Sequence, residues 1–299
     1  MPTMPTMRQV LWAITLHSGL SATRRARWLK RLPFVEPSPL LPRLIHQTIS
    51  SRARITPLIA DNIAALVRDN PDWSHRLYDA EERSRFIAEH YGREVHALYA
   101  RIDPAYGAAR ADLFRYLLIY RLGGVYIDIK SSFTCPLSKV LRDDEKFVIS
   151  HWDNDPDPAR RTFGRHRELS RYGGREIQQW HVIAQAGHPF LRHVIARVLA
   201  NIETYNARLD DVGRNGVVRT TGPIAYTHAI APLLSRHPHR VIGSTADIGL
   251  DYSIAGYDGG AVLGTHYSRL TSPVVVRKIL RGRDLSPATA VSAALDGSG

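Results

Sequence analysis

The sequence contains one cysteine, Cys135, among 299 residues. It can therefore form neither an intrachain disulfide nor a cysteine-rich metal site. It also has no apolar run near the roughly 20 residues that a membrane-spanning helix needs. The apolar run at residues 10–16 is short, and the strongest basic cluster follows it, which argues against a signal peptide. We therefore expect a cytoplasmic protein.

Lysine is scarce as well, although the protein is strongly basic. The formal net charge is +12 and the pI is about 10.1, but only five of the 40 basic residues are lysine: Lys30, Lys130, Lys139, Lys146 and Lys278. Two explanations stay open. The charge serves an anionic partner, such as nucleotide phosphates or an acidic lipid surface, or the arginine excess reflects a GC-rich coding sequence. The sequence has no zinc-finger or RNP-like motif, so we expect no nucleic-acid partner.

Three segments differ in composition. Residues 1–41 form a basic arm, with predicted helices at 8–20 and 22–32 and a proline-rich linker after them. The main domain is expected at residues 42–270, and a tail at 271–299. Basic residues around Trp28 could place the arm on an anionic membrane surface. The alternative is a helix that packs on the main domain with a solvated basic face.

The pattern of the main domain alternates between strands and helices. We predict strands at 44–49 and 125–129 and helices at 56–68, 79–90, 105–121 and 189–205. Asp79 with Glu82 forms a capping-box-like helix start, and the glycine pair Gly123-Gly124 ends a helix. The expected fold is α/β, with a Rossmann-like mixed sheet flanked by helices. Ligands of such sheets bind at the carboxyl ends of the strands.

The candidate site combines a helix and the strand that follows it. Asp112 and Arg115 are three residues apart on the predicted helix and share a face. Asp128 stands at the end of the next strand, and Tyr126 lies on the same strand face. Arg115 can donate to sugar hydroxyls and Asp112 can accept from them. A carboxylate at the position of Asp128 can bind a ribose or a divalent cation.

These residues resemble the DXD glycosyltransferases with a sugar-binding region. That family includes yeast α-mannosyltransferases, bacterial capsular polysaccharide glycosyltransferases and the clostridial glucosylating toxins. The resemblance covers most of residues 42–235. The matching positions are Asp112, Arg115, Tyr116, Gly123, Gly124, Tyr126 and Asp128, with His46-Gln47 before them and Thr221-Gly222-Pro223 after them.

The resemblance implies a GT-A fold and a retaining hexosyl transfer from a nucleotide-diphosphate sugar. It places Asp112 and Arg115 on the donor sugar, and Asp128 on the ribose and a Mn²⁺ or Mg²⁺ ion, with His266 and Ser268 as further candidate metal ligands. The acceptor would be a glycan or a lipid-linked glycan in surface or capsular polysaccharide synthesis. The remaining implied donor-site residues are His46, Gln47, Gly124, Tyr126, Thr221 and Gly222.

One position departs from the family pattern, because Lys130 replaces the second aspartate of the DXD motif. Three interpretations follow. The Lys130 ammonium replaces the metal and neutralises the diphosphate, the metal is held by Asp128 with a distal residue, or the site is inactive. Two further alternatives are a nucleotide-sugar-binding protein without catalysis and an effector that glycosylates a protein. We expect a cytoplasmic enzyme, peripheral to the inner face of the plasma membrane.

Overall fold

The computed structural model describes residues 7–154, 162–254 and 267–276. The described helices are α1 (Met7–Arg31), α2 (Pro57–Asp69), α3 (Ala80–Arg101), α4 (Gly107–Leu122), α5 (Pro189–Thr204), α6 (Ala207–Asp210), α7 (Gly213–Thr220) and α8 (Pro223–Ile230). The described strands are β1 (Leu44–Thr48), β2 (Ser74–Tyr78), β3 (Gly124–Ile127), β4 (Ser132–Phe133), β5 (Phe147–Ile149), β6 (His181–Ala184), β7 (Arg240–Val241) and β8 (Leu250–Asp251).

The main sheet is mixed, in the order β2-β1-β3-β6-β5-β7. Strand β1 runs parallel to β2 and β3, whereas β6 runs antiparallel to both β3 and β5. Strands β4 and β8 form a separate antiparallel pair. The predicted α/β class, with a mixed sheet flanked by helices, is confirmed. The start of β6 therefore lies beside the end of β3, where Ile127 pairs with His181.

Both faces of the sheet are covered, as the alternation along each strand shows. In β3, Tyr126 belongs to the core shared with α3, α4 and α5, whereas Val125 and Ile127 belong to the core on the other face. In β6, Val182 lies on the first face and Ile183 on the second. Successive strand side chains point to opposite faces, so a run that is apolar throughout is buried on both sides.

Helix α4 ends where the paired glycines were expected to end it. Gly123 has a φ of 68° and Gly124 a φ of 95°, values that L side chains rarely adopt. A Cβ atom on Gly124 would lie 2.6 Å from the carbonyl oxygen of Leu44 in β1. The glycine pair therefore lets the chain leave the helix and enter β3 directly against β1.

Helix α3 confirms its predicted start but is longer than predicted. Asp79 and Glu82 form the capping box in both directions. The helix continues beyond His90 to Arg101 through a kink at Gly92, whose φ is 74°. The sequence pattern follows the first half only, because the glycine interrupts the helical geometry without ending the element.

The core extends beyond both expected domain limits. Residues 7–31 form one helix rather than two, and Trp28 and Leu32 belong to the main core. At the other end, Val274 and Val275 are buried in that core. The arm thus packs on the main domain, chiefly against α5, and leaves Arg24, Lys30 and Arg31 exposed.

Candidate active site

Helix α4 and the end of β3 bring one guanidinium to two carboxylates. The Nη2 atom of Arg115 lies 3.3 Å from Oδ1 of Asp112 and 2.9 Å from Oδ1 of Asp128. The side chains of Arg115 and Asp112 are 4% exposed, whereas that of Asp128 is 25% exposed. Asp128 is therefore the part of this group that faces solvent, and Asp112 and Arg115 lie behind it.

Arg115 is fixed from further sides. Its Nη1 donates to the backbone carbonyl of Gln179 and, at 2.8 Å, to the side-chain Oε1 of the same residue. Its Cζ lies 4.6 Å from the centroid of the Tyr126 ring. The Tyr126 hydroxyl in turn donates to Oδ1 of Asp128 at 3.3 Å. The guanidinium is thus stacked and hydrogen-bonded into one orientation.

Asp112 is held by the segment between α7 and α8. The Thr221 hydroxyl donates to Oδ2 of Asp112 at 2.9 Å, and the Tyr116 hydroxyl donates to the Thr221 carbonyl at 3.0 Å. A Cβ atom on Gly222 would lie 2.8 Å from Cα of Val218. A glycine at this position therefore allows the close approach that brings Thr221 to the carboxylate.

Burial and neighbouring charges shift the pKa values of Asp112 and Arg115 in opposite directions. Burial raises the pKa of Asp112, while Arg115 and the Thr221 hydrogen bond oppose that rise. Burial lowers the pKa of Arg115, but the carboxylates of Asp128 and Asp112, with Tyr126, outweigh it and leave that pKa raised. Arg115 is therefore a permanent cation. Asp128 is the solvent-accessible carboxylate of a network in which one guanidinium is shared by two acids.

Lys130 lies beside this group, two residues after Asp128. Its Nζ is 3.9 Å from the centroid of the Tyr252 ring, and its carbonyl accepts from the Ile254 amide at 2.9 Å. Burial lowers the pKa of Lys130, whereas Asp128 opposes that shift. The Tyr252 ring also contacts Trp152 and Trp180 edge-on. The Tyr252 ring, packed against Trp152 and Trp180, thus holds the Lys130 ammonium in a partly buried position.

The first predicted strand contributes backbone support. The Gln47 amide donates to the carbonyl of Asp128 at 3.3 Å, and His75 contacts Oε1 of Gln47 at 3.0 Å. His46 is fully buried, with Nε2 3.2 Å from the carbonyl of Gly123, and burial lowers its pKa to about 3. The structure therefore brings Gln47 to Asp128 and places His46 beneath the turn that starts β3.

The expected metal ligands do not form a set within the described ranges. His266 lies outside the described residues. The backbone carbonyl of Ser268 lies beside Gly213. Among the described residues, no three of His, Cys, Asp and Glu are placed to hold a metal ion. Arg115 contacts both acids of the site, through Oδ1 of Asp112 and Oδ1 of Asp128.

Two residues that hold the site were not predicted as part of it. Gln179 precedes β6, and it reaches Arg115 only because β6 is antiparallel to β3 and adjacent to it. Tyr252 follows β8, which pairs with β4 just after Lys130. The sequence marks neither residue, because both reach the site through strand pairing between distant segments.

Residues 58–148 match the family model described as "Glycosyltransferase sugar-binding region containing DXD motif". Two curated relatives are initiation-specific alpha-1,6-mannosyltransferases. The one from Schizosaccharomyces pombe is 28% identical over 186 residues, which are 56% of this chain and 42% of the relative. The one from Candida albicans is 28% identical over 141 residues, which are 43% of this chain and 34% of the relative. The chain spans less than half the length of either protein.

A solved structure, the PaToxG glycosyltransferase, superposes with a TM-score of 0.48 at 14% identity, over 75% of this chain and 80% of that one. The family-model match and the two relatives confirm the predicted resemblance to glycosyltransferases with a DXD sugar-binding region. The matched segment contains Asp112, Arg115, Asp128 and Lys130. Within the described ranges, every helix falls short of what a bilayer crossing requires.

Proposed function

We propose that this protein is a GT-A-type glycosyltransferase that moves a hexose from a nucleotide-diphosphate sugar to a glycan or lipid-linked acceptor, with retention of configuration. The observation that carries the proposal is the group formed by Asp112, Arg115 and Asp128 at the end of β3. This group lies in the segment that matches the sugar-binding region. A buried ion pair is expensive to maintain, so its place at a ligand-binding edge of the sheet favours a functional role.

Each residue has a distinct part in the proposed reaction. Asp128, the most exposed of the three, accepts hydrogen bonds from hydroxyl groups of the sugar nucleotide. Arg115, held by Asp112, orients the Asp128 carboxylate from the buried side. We predict that Asp112 and Arg115 also bind the donor sugar. The Lys130 ammonium lies close to the Asp128 side of the site and stabilises the negative charge that develops on the leaving diphosphate.

Retention of configuration follows when the acceptor hydroxyl attacks the sugar ring on the same face from which the diphosphate departs. The bond between the sugar C1 and the diphosphate oxygen breaks through an oxocarbenium-like state. The bond between C1 and the acceptor oxygen forms on the same face, and the acceptor proton passes to the departing diphosphate oxygen. This scheme needs no nucleophile from the protein. Proton NMR of the product anomer tests it, and an inverted anomer contradicts it.

The proposal assigns the diphosphate charge to Lys130 rather than to Mn²⁺ or Mg²⁺. The support is the place of Lys130 two residues after Asp128, with its ammonium against the Tyr252 ring, and the contact of Arg115 with both carboxylates of the site. For the acceptor, the exposed Arg24, Lys30 and Arg31 of α1 favour work at an anionic membrane surface. We therefore place the enzyme at the cytoplasmic face of the plasma membrane, in surface or capsular polysaccharide synthesis.

Release of nucleoside diphosphate from a panel of nucleotide sugars tests the proposal. GDP-mannose comes first in the panel, because both curated relatives are named mannosyltransferases. Each donor is assayed with Mn²⁺, with Mg²⁺ and with EDTA, on the wild type, Asp128→Ala and Lys130→Ala. The control is Asp69→Ala, since the Asp69 carboxylate contacts only its neighbour Arg68 among the described ion pairs.

The proposal expects turnover of one donor that survives EDTA and falls in both site variants, while Asp69→Ala retains it. Turnover that EDTA abolishes assigns the diphosphate charge to a metal instead. Binding of a nucleotide sugar without turnover, over a panel of glycan, lipid-linked and protein acceptors, favours the second candidate. In that candidate Lys130 makes the site inactive, and the protein binds nucleotide sugars without catalysis. Turnover with a protein acceptor alone favours an effector. Absence of both binding and turnover contradicts the proposal.

A further inference from the structure

A second group of basic side chains lies on the packed helices α1 and α5. The Ser21 hydroxyl contacts Oδ1 of Asn201 at 3.4 Å, and the Arg192 guanidinium donates to the carbonyl of Leu29 at 2.8 Å. The two helices therefore run antiparallel, with position 21 opposite 201 and position 29 opposite 192. One turn in from the first contact, this register places Arg25 opposite Arg197.

Arg197 connects this pair to helix α8 and to the aromatic side chain of Tyr172. Its Nη2 donates to the carbonyl of His228 in α8 at 3.4 Å, while its buried Nε has no partner among the described residues. The His228 ring lies 5.7 Å from the Tyr172 ring, and the Arg171 guanidinium stacks on Tyr172 at 4.7 Å. We call Arg25, Arg171, Arg197 and His228 the basic cluster.

The acids near the basic cluster are bound by other cations. Glu203 of α5 accepts from Arg27 of α1. Glu168, on the short helix that carries Arg171, is 2.7 Å from Arg219. Within the described ranges, none of the three arginines of the basic cluster has a carboxylate partner. Glu168 acts on His228 through its charge, but no carboxylate among the described residues binds the three arginines.

This arrangement is unfavourable unless an anion completes it. Burial, with Arg25 and Arg171, lowers the pKa of Arg197 to about 10. Burial and the neighbouring Arg197 also lower the pKa of His228, to about 4. Like charges placed close together destabilise the folded state. Neighbouring guanidinium groups suit a phosphate, because an arginine fork can donate two parallel hydrogen bonds to its oxygens.

We infer that the basic cluster is a second anion site, which binds a phosphate group separately from the donor site. Thr221 and Gly222 of the donor site precede α8, and His228 stands near its other end. At 1.5 Å per residue, that helix separates the two sites by about 10 Å. The phosphate belongs either to a lipid headgroup or to a soluble phosphorylated ligand. The inference does not depend on the proposed transfer activity.

Two binding measurements separate these sources. Inorganic phosphate is titrated by calorimetry, and vesicles of phosphatidylcholine, with or without phosphatidylglycerol, are used for co-sedimentation. Both are performed in a Lys130→Gln background, so that phosphate at the donor site does not contribute. The test variant carries Arg25→Gln and Arg171→Gln. The matched control is Arg31→Gln, on the same helix, whose guanidinium is paired with Glu94 at 2.8 Å.

We expect binding of phosphate, of the anionic vesicles or of both, weakened by about tenfold or more in the double variant and unchanged in the control. Binding of free phosphate identifies a soluble ligand class, and binding of anionic vesicles alone identifies a lipid headgroup. Since the double variant removes like charges, its melting temperature without ligand should equal or exceed that of the control. Binding of neither probe, or equal binding by the double variant and the control, overturns the inference.

Discussion

Arg115 and Asp128 form an ion pair that joins the interior of the protein to its surface. The two atoms, Nη2 and Oδ1, are 2.9 Å apart, and the arginine side chain is 4% exposed against 25% for the aspartate. The buried cation therefore fixes a carboxylate that a ligand can reach. This relationship gives the candidate site a rigid acid before any donor binds.

Replacement of Arg115 by leucine should destabilise the fold strongly. It would leave the buried Asp112 carboxylate without its cation, a loss that typically costs about 3–5 kcal/mol. Urea unfolding, followed by circular dichroism, measures the change. Arg115→Lys should recover part of the stability but not the orientation of Asp128, because an ammonium lacks the guanidinium fork.

The control for this prediction is Arg31→Ala. Arg31 binds Glu94 at the surface, where both side chains are more than half exposed. Such pairs contribute about 0–1 kcal/mol. If Arg115→Leu unfolded at the same urea concentration as the control, the ion pair would have no structural role.

The Thr221 side chain should stabilise the fold through the hydrogen bond of its hydroxyl to Asp112 rather than through its volume. Thr221→Val keeps the side-chain volume but removes the hydroxyl that donates a hydrogen bond to Oδ2 of Asp112 at 2.9 Å. Loss of a hydrogen bond to a buried charge should cost about 1.5–3 kcal/mol. Thr221→Ser should restore most of it. Equal stability of the valine and serine variants would show that Asp112 does not depend on this bond.

Binding of nucleoside diphosphate should weaken at alkaline pH through Lys130. Burial lowers the pKa of this lysine below its ordinary value of 10.5. A lysine whose pKa is lowered loses its positive charge at a lower pH than an ordinary lysine. Affinity should therefore begin to fall below pH 10.5, since the neutral amine no longer attracts the diphosphate. Calorimetric titration at several pH values measures the midpoint.

Lys130→Arg serves as the control for the pH dependence, because arginine stays charged throughout this range. It should bind the diphosphate with an affinity that varies less with pH. Identical pH profiles for the wild type and Lys130→Arg would assign the dependence to another group.

Alanine should be tolerated very differently at two glycines. A Cβ on Gly124 would meet the Leu44 carbonyl oxygen at 2.6 Å at a φ of 95°, whereas a Cβ on Gly107 meets nothing within 4 Å. Gly124→Ala should lower the melting temperature by several degrees or prevent folding. Gly107→Ala, in α4, should stabilise by up to about 1 kcal/mol. Similar melting temperatures for the two variants would contradict the tight contact between β3 and β1.

Local patterns predicted the elements that carry the site. The apolar spacing of α4, the glycine pair after it and the short strand β3 were readable from neighbouring residues, as was the capping box of Asp79. The spacing of Asp112 and Arg115 also predicted a shared helix face. These features depend on interactions within a few residues, which the sequence shows directly.

Long-range features could not be predicted in the same way. Gln179 reaches Arg115 through the antiparallel pairing of β6 with β3, and Tyr252 reaches Lys130 through the pairing of β8 with β4. The basic cluster depends on the register between α1 and α5. No local pattern specifies which distant segments pair, so these contacts become visible only in the folded chain.

The most direct test of the proposed function is the turnover number of the preferred donor and acceptor with Asp128→Asn. This variant keeps the shape of the side chain and removes the negative charge that Arg115 orients. We expect kcat to fall by about 100-fold or more, as when one preorganised electrostatic group is removed from an active site. Asp69→Asn should retain the wild-type kcat. An Asp128→Asn enzyme as fast as the wild type would contradict the assignment of this site.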